Sequence, residues 1–135
     1  MPLDVPARIT RALWYNELTA RNYHADVRWV LIATALESLI HTSRNGSGHQ
    51  FRTRTAKMAV AVGLPAFTEA EALRFYDLRS HLAHGQETGQ LTPVNYPLYC
   101  LGEDVLRKVI ARAILEPNFA ATFADGAAIE GTWGK

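Results

Sequence analysis

Cysteine, net charge and long apolar runs are all scarce in this chain of 135 residues, and each shortage excludes a class of protein. The single cysteine, Cys100, cannot close an intrachain disulfide and offers no thiolate cluster to a metal. That points to a reducing compartment, and the cytoplasm is the expected location. A formal net charge of +1 gives composition alone no case for a nucleic acid or a membrane surface. Only Arg44, Arg52, Arg54 and Lys57 fall close enough together to suggest a local basic patch. The longest strongly apolar run, Val30 to Leu36, stops at Glu37, whereas a membrane span needs about twenty apolar residues. The opening M-P-L-D-V-P-A-R lacks the basic-then-apolar layout of a signal peptide. What is present is 48% hydrophobic and 20% charged residues, the composition of a soluble globular domain. A domain of this length buries roughly 70% of its unfolded surface.

Helical periodicity and breakers then divide the chain. Pro6 suits a first helical turn, and Ile9, Leu13, Trp14 and Leu18 recur at helical spacing up to about Arg21. A second helix is expected from about Ala25 to Thr42, apolar around so much of its girth that it belongs at the centre of a bundle. Ser43 to Gly48 reads as a loop and His49 to Val62 as a third helix, stopped by Gly63 and Pro65. Thr68 resembles an N-cap, with Glu69 and Glu71 in the first turn, and that helix is expected to reach His84 and stop at Gly85. Gln86 to Leu101 reads as a long connection, and connections of that length are often functional. Gly102 to Leu115 is an amphipathic helix. A short helix covers Asn118 to Ala124, and 125–135 reads as a loose tail, in which Trp133 is the residue able to dock, after a single domain spanning 1–124. The expected architecture is an all-α antiparallel bundle of five or six helices.

The chemistry-bearing stretch is Y-D-L-R-S-H-L-A-H-G, Tyr76 to Gly85. His81 and His84, with Asp77, can reach one metal ion, but no spacing elsewhere supplies another ligand. Ser80 and His84 are four apart, which suits a hydroxyl–imidazole pair. A helix C-terminus presents carbonyls, however, not the N–H groups of an oxyanion hole. Acid–base chemistry on a phosphodiester fits better. Arg79 offers a planar fork of donors to phosphate oxygens, and the negative end of a helix favours an imidazolium at His84. The two residues lie about 140° apart and roughly 7.5 Å along an ideal helix, so a site built on both calls for a second chain. The plain structural alternative is that Leu78 and Leu82 are core, Arg79 pairs with an acid, and the histidines cap the helix.

The stretch R-S-H-L-A-H, Arg79 to His84, resembles the R-x4-H motif of the HEPN superfamily (higher eukaryotes and prokaryotes nucleotide-binding). With A-L-E-S-L-I at Ala35 to Ile40 and F-x-x-R at Phe51 to Arg54, the pattern is similar to the Apea-like HEPN branch. The resemblance spans about Ala25 to Leu115. It implies a helical bundle that dimerises so that two motifs face one cleft, and a metal-independent endoribonuclease serving as a toxin or in antiviral defence. RNA would be the substrate, no cofactor is implied, and an antitoxin or other partner protein belongs to the same expectation. Arg79 would stabilise the scissile phosphate and His84 would be the acid–base group. Ser80 would orient either of them, Tyr76 and His81 lie in or beside the motif, and Glu37 is expected in a partly buried ion pair with Arg54 or Arg79. Some HEPN domains are non-catalytic, so the alternative the resemblance allows is a helical module that binds a partner protein or a nucleotide.

Overall fold

The computed structural model describes residues 5–22, 24–43, 46–83 and 93–134, with 81–83 described by backbone alone. Every regular element among them is helical, as the sequence predicts, with seven α-helices where five or six are expected. The helices are α1 (Ala7–Ala20), α2 (Ala25–Ile40), α3 (Ser47–Ala61), α4 (Glu69–Ala83), α5 (Tyr96–Leu115), α6 (Pro117–Ala120) and α7 (Gly126–Trp133), with a 3-10 turn at Ala121–Phe123.

The apolar girth of α2 sets the layout. It buries Trp29, Ile32, Ala33, Ala35, Leu36, Leu39 and Ile40, and it packs against α1, α3, α4 and α5 at once. A helix with neighbours on several sides needs that breadth of apolar surface. Arg8 of α1 reaches the carbonyls of Ser38 and His41 at 3.1 and 2.8 Å, so α1 and α2 run antiparallel. The face that α1 turns inward carries Ile9, Ala12 and Thr19. Trp14, grouped by periodicity with the inward residues, is instead 57% exposed. At 100° per residue it projects from nearly the opposite side of the helix.

Gly46, with φ +74°, leads into α3, which starts two residues before the expected His49. At its other end Gly63 takes φ +82°, and the amide of Leu64 reaches back to the carbonyl of Ala59 at 2.7 Å. That left-handed closure requires glycine. The Thr68 hydroxyl accepts from the Glu71 amide at 3.3 Å, capping α4 as its sequence suggests. The expected stop of α4 at His84 and Gly85 lies outside the described residues, as does the connection as far as residue 92.

Two expectations are corrected. The connection expected to reach Leu101 is already helical from Tyr96, and Gly102 lies inside α5 rather than at its start. Gly102 is a close-approach residue: a Cβ there would stand 2.4 Å from Cε2 of the buried Phe75 ring. The α4–α5 contact thus needs a missing side chain. Residues 126–133, expected as a loose tail, form α7, capped by Asp125 accepting from the Ala128 amide at 2.8 Å. Ile129 and Trp133 are buried, and the Trp133 ring stacks on Phe123 at 5.5 Å. Burying two large apolar side chains is sufficient reason for a short helix to dock.

Candidate functional site

The inward half of α4 is positioned by aromatic packing. Phe75 sits between Trp29 at 5.0 Å and Phe67 at 5.9 Å, and the Trp29 indole N–H donates to the Phe75 carbonyl at 3.1 Å. One turn further on, Arg79 leaves α4 towards the central helix. Its Nη2 donates to Oε1 of Glu37, an ion pair in which the two side chains are 20% and 24% exposed. The guanidinium carbon lies 4.8 Å from the Tyr76 ring centroid, close enough for a cation–π contact. Tyr76 in turn leans on Phe51 of α3 at 5.2 Å. Arg79 Nε is buried and has no hydrogen-bond partner among the described residues. Ser80, the next residue, is half-buried in α4.

Of the two partners expected for Glu37, the structure supplies Arg79. Arg54 goes elsewhere. It is 1% exposed and donates to the carbonyls of Ile40 and Gly134 at 2.6 and 2.8 Å and to the Thr42 hydroxyl at 2.9 Å. Burial lowers its proton affinity below the ordinary arginine value, with Glu130 acting in the opposite direction. Arg54 and Arg8 together meet the last carbonyls of α2, where the helix dipole favours cations. Arg54 is therefore a buried structural residue apart from Arg79, and the surface patch imagined around it loses a member.

Glu37 has a second neighbourhood. With Arg11, Tyr15, Thr34, Ser38 and His41 it lines an open cavity of about 210 Å³ between α1 and α2. None of the α1 residues in that wall carries a motif, and His41 lay in a sequence context without ligand spacing. Only the fold brings them beside Glu37. Arg11 is exposed and has no hydrogen bond or ion pair among the described residues. Its charge, after burial, helps to lower the proton affinity of Arg8.

His84 and the His81 side chain lie outside the described residues, so the geometry of the full R-x4-H motif is not part of this site. Among the described residues no three His, Cys, Asp or Glu side chains gather as a metal-binding set, and no helix is long and apolar enough to cross a membrane. No family model, curated protein or solved structure matches the chain.

What the arrangement offers chemically is a guanidinium fixed from two sides. Glu37 holds one end and the Tyr76 ring supports its face, which reduces the entropy lost when the remaining N–H groups engage an anion. The carboxylate also offsets the positive charge, which weakens the pull on any single phosphate.

Proposed function

We propose that this chain is a metal-independent endoribonuclease of the HEPN type, working as a homodimer in which two R-x4-H motifs share a cleft. The observation that supports the reading is the preorganised Arg79, held by Glu37 and stacked against Tyr76. In the proposed reaction the 2′-hydroxyl of RNA attacks the adjacent phosphorus and the bond to the 5′-oxygen breaks. His84 moves the protons: one copy takes the 2′-hydroxyl proton, and the other gives one to the departing 5′-oxygen. Arg79 stabilises charge on the non-bridging oxygens. The products are a 2′,3′-cyclic phosphate and a 5′-hydroxyl, and no step calls for a metal. A toxin or antiviral-defence effector acting in the cytoplasm, held in check by an antitoxin, is the biological setting that goes with this chemistry.

The test is cleavage of labelled RNA in EDTA by the wild type, Arg79→Ala and His84→Ala. Loss of cyclic-phosphate product in both variants, each still cooperatively folded, supports the proposal. Undiminished cleavage in both would sink it, and activity abolished by the chelator would turn attention to His81, His84 and Asp77 as metal ligands.

A second reading is favoured by one specific observation, the neutralisation of Arg79 by Glu37. In that reading the bundle is a non-catalytic module that binds a partner protein or a nucleotide. Growth arrest on expression of the wild type, absent with His84→Ala, would argue against it.

A further inference from the structure

The exposed face of α1 has features that packing of the bundle does not explain. Trp14 is 57% exposed, the most solvent-open of the three tryptophans, since Trp29 and Trp133 are 0% and 5% exposed. Its ring lies 5.4 Å from that of Tyr15, tilted by 44°. One turn earlier stands Arg11, uncommitted among the described residues. Arg11 belongs to two hollows. One, of about 390 Å³, is lined by Ala7, Thr10, Arg11 and Trp14. The other is the cavity that contains Tyr15 and Glu37. The surface therefore runs from an open aromatic face, past a free guanidinium, to the carboxylate that holds Arg79.

The chemistry of that strip selects its ligand. A protein–protein interface with an apolar centre needs about 800 Å² per partner. Here Trp14 is the one exposed large apolar side chain of α1, standing among exposed Ala7, Thr10, Arg11, Glu17 and Arg21, so the face has no apolar centre of that kind. An open aromatic ring beside a cation suits a flat π-system joined to a phosphate, as in a strand whose bases are unpaired.

We infer that the α1 face formed by Arg11, Trp14 and Tyr15 binds unpaired RNA, stacking a base on Trp14 and holding the neighbouring phosphate with Arg11. The strand then passes over the α1–α2 cavity towards Glu37 and Arg79. As a route to the cleavage site this rests on the ribonuclease reading, but the binding itself is measured without turnover.

The experiment uses the His84→Ala protein, a fluorescently labelled single-stranded RNA of mixed sequence, and the duplex of the same sequence. Binding is followed by anisotropy and by quenching of tryptophan emission. Single-stranded RNA should quench emission and bind more tightly than duplex. Adding Trp14→Ala should weaken binding about tenfold or more and remove the quench, while Trp14→Tyr should recover much of the affinity. Adding Arg11→Ala should flatten the slope of log affinity against log salt by about 0.7. Equal binding with and without Trp14, or equal binding of duplex, overturns the inference. So does self-association that Trp14→Ala abolishes while RNA affinity is unchanged, because the face is then a contact between copies. Trp14-dependent binding with a wild type that cleaves nothing leaves this inference standing and removes the ribonuclease reading. Cleavage lost in His84→Ala with RNA affinity independent of Trp14 does the reverse.

Discussion

Glu37 of α2 and Arg79 of α4, 42 residues apart in the chain, form an ion pair that joins the central helix to α4. Both side chains are about three-quarters shielded from solvent, so the pair lies between the exposed bridges that contribute little and the buried ones that are costly to break. Double-mutant analysis with Glu37→Gln and Arg79→Met should give a coupling free energy on the order of 1 kcal/mol from urea midpoints. A coupling indistinguishable from zero would reduce Glu37 to a surface neighbour of Arg79.

Gly102→Ala should destabilise the bundle although alanine is the better helix former. The propensity gain is about 1 kcal/mol, against about 1–3 kcal/mol for forcing a methyl into the Phe75 ring. The new Cβ would meet three ring carbons at 3.0 Å or less. Phe75 has little room to yield, since Trp29, Phe51 and Phe67 surround it. Thermal melts should show a net loss, partly recovered by adding Phe75→Leu.

These two residues show where the sequence is legible and where it is not. The helix entries at Ala7 and Glu69 follow from the local signals of Pro6 and Thr68, and the left-handed Gly63 stops α3 close to where the Gly63 and Pro65 breakers predict. Gly102 looks the same as Gly63 on paper, but its purpose is set by a ring 27 residues earlier, which no local window contains. Trp14 fails for a related reason. Helical spacing groups residues on a face, and only the packed partner reveals which face is inward. Glu37 and Arg79 are each readable as candidates, and their pairing was one of two expected. The α1 wall of the cavity carries no local signal, because it exists only after α1 folds back along α2.

Arg54→Met should cost about 2–4 kcal/mol. The substitution keeps most of the volume but leaves the Ile40 and Gly134 carbonyls without their donor in a buried place. Trp133→Ala should cost about 3 kcal/mol through the loss of a buried ring. Both changes should make the 126–134 segment sensitive to limited proteolysis before the rest of the chain. Equal resistance to the wild type would mean that α7 does not depend on this anchorage.

Tyr99 gives the fold a sensitivity to alkali. Burial, followed by its 2.8 Å hydrogen bond to Glu103 and the charge of that carboxylate, raises the hydroxyl well above the ordinary tyrosine value. In the unfolded chain the proton leaves near pH 10, whereas the folded chain keeps it. Above about pH 10 the unfolded state therefore binds fewer protons, and stability falls as pH rises. The Tyr99 contribution approaches 1.4 kcal/mol per pH unit between its unfolded and folded values. Tyr99→Phe should be less stable than wild type at neutral pH yet lose less between about pH 9 and about pH 11. Parallel declines measured by urea denaturation would exclude Tyr99 as the source.

The Trp29 indole bond to the Phe75 carbonyl acquires a further meaning beside the Glu37 contact. Trp29 and Glu37 lie eight positions apart on α2, about 12 Å along its axis, and each grips α4, one at a backbone oxygen and the other at a side chain. Two fasteners at separate points fix both the sliding and the rotation of one rod against another. The stretch of α4 that carries Arg79 and Ser80 is thus a mount whose origin and bearing are set by the centre of the molecule, and the Arg79 side chain does not have to be brought into line.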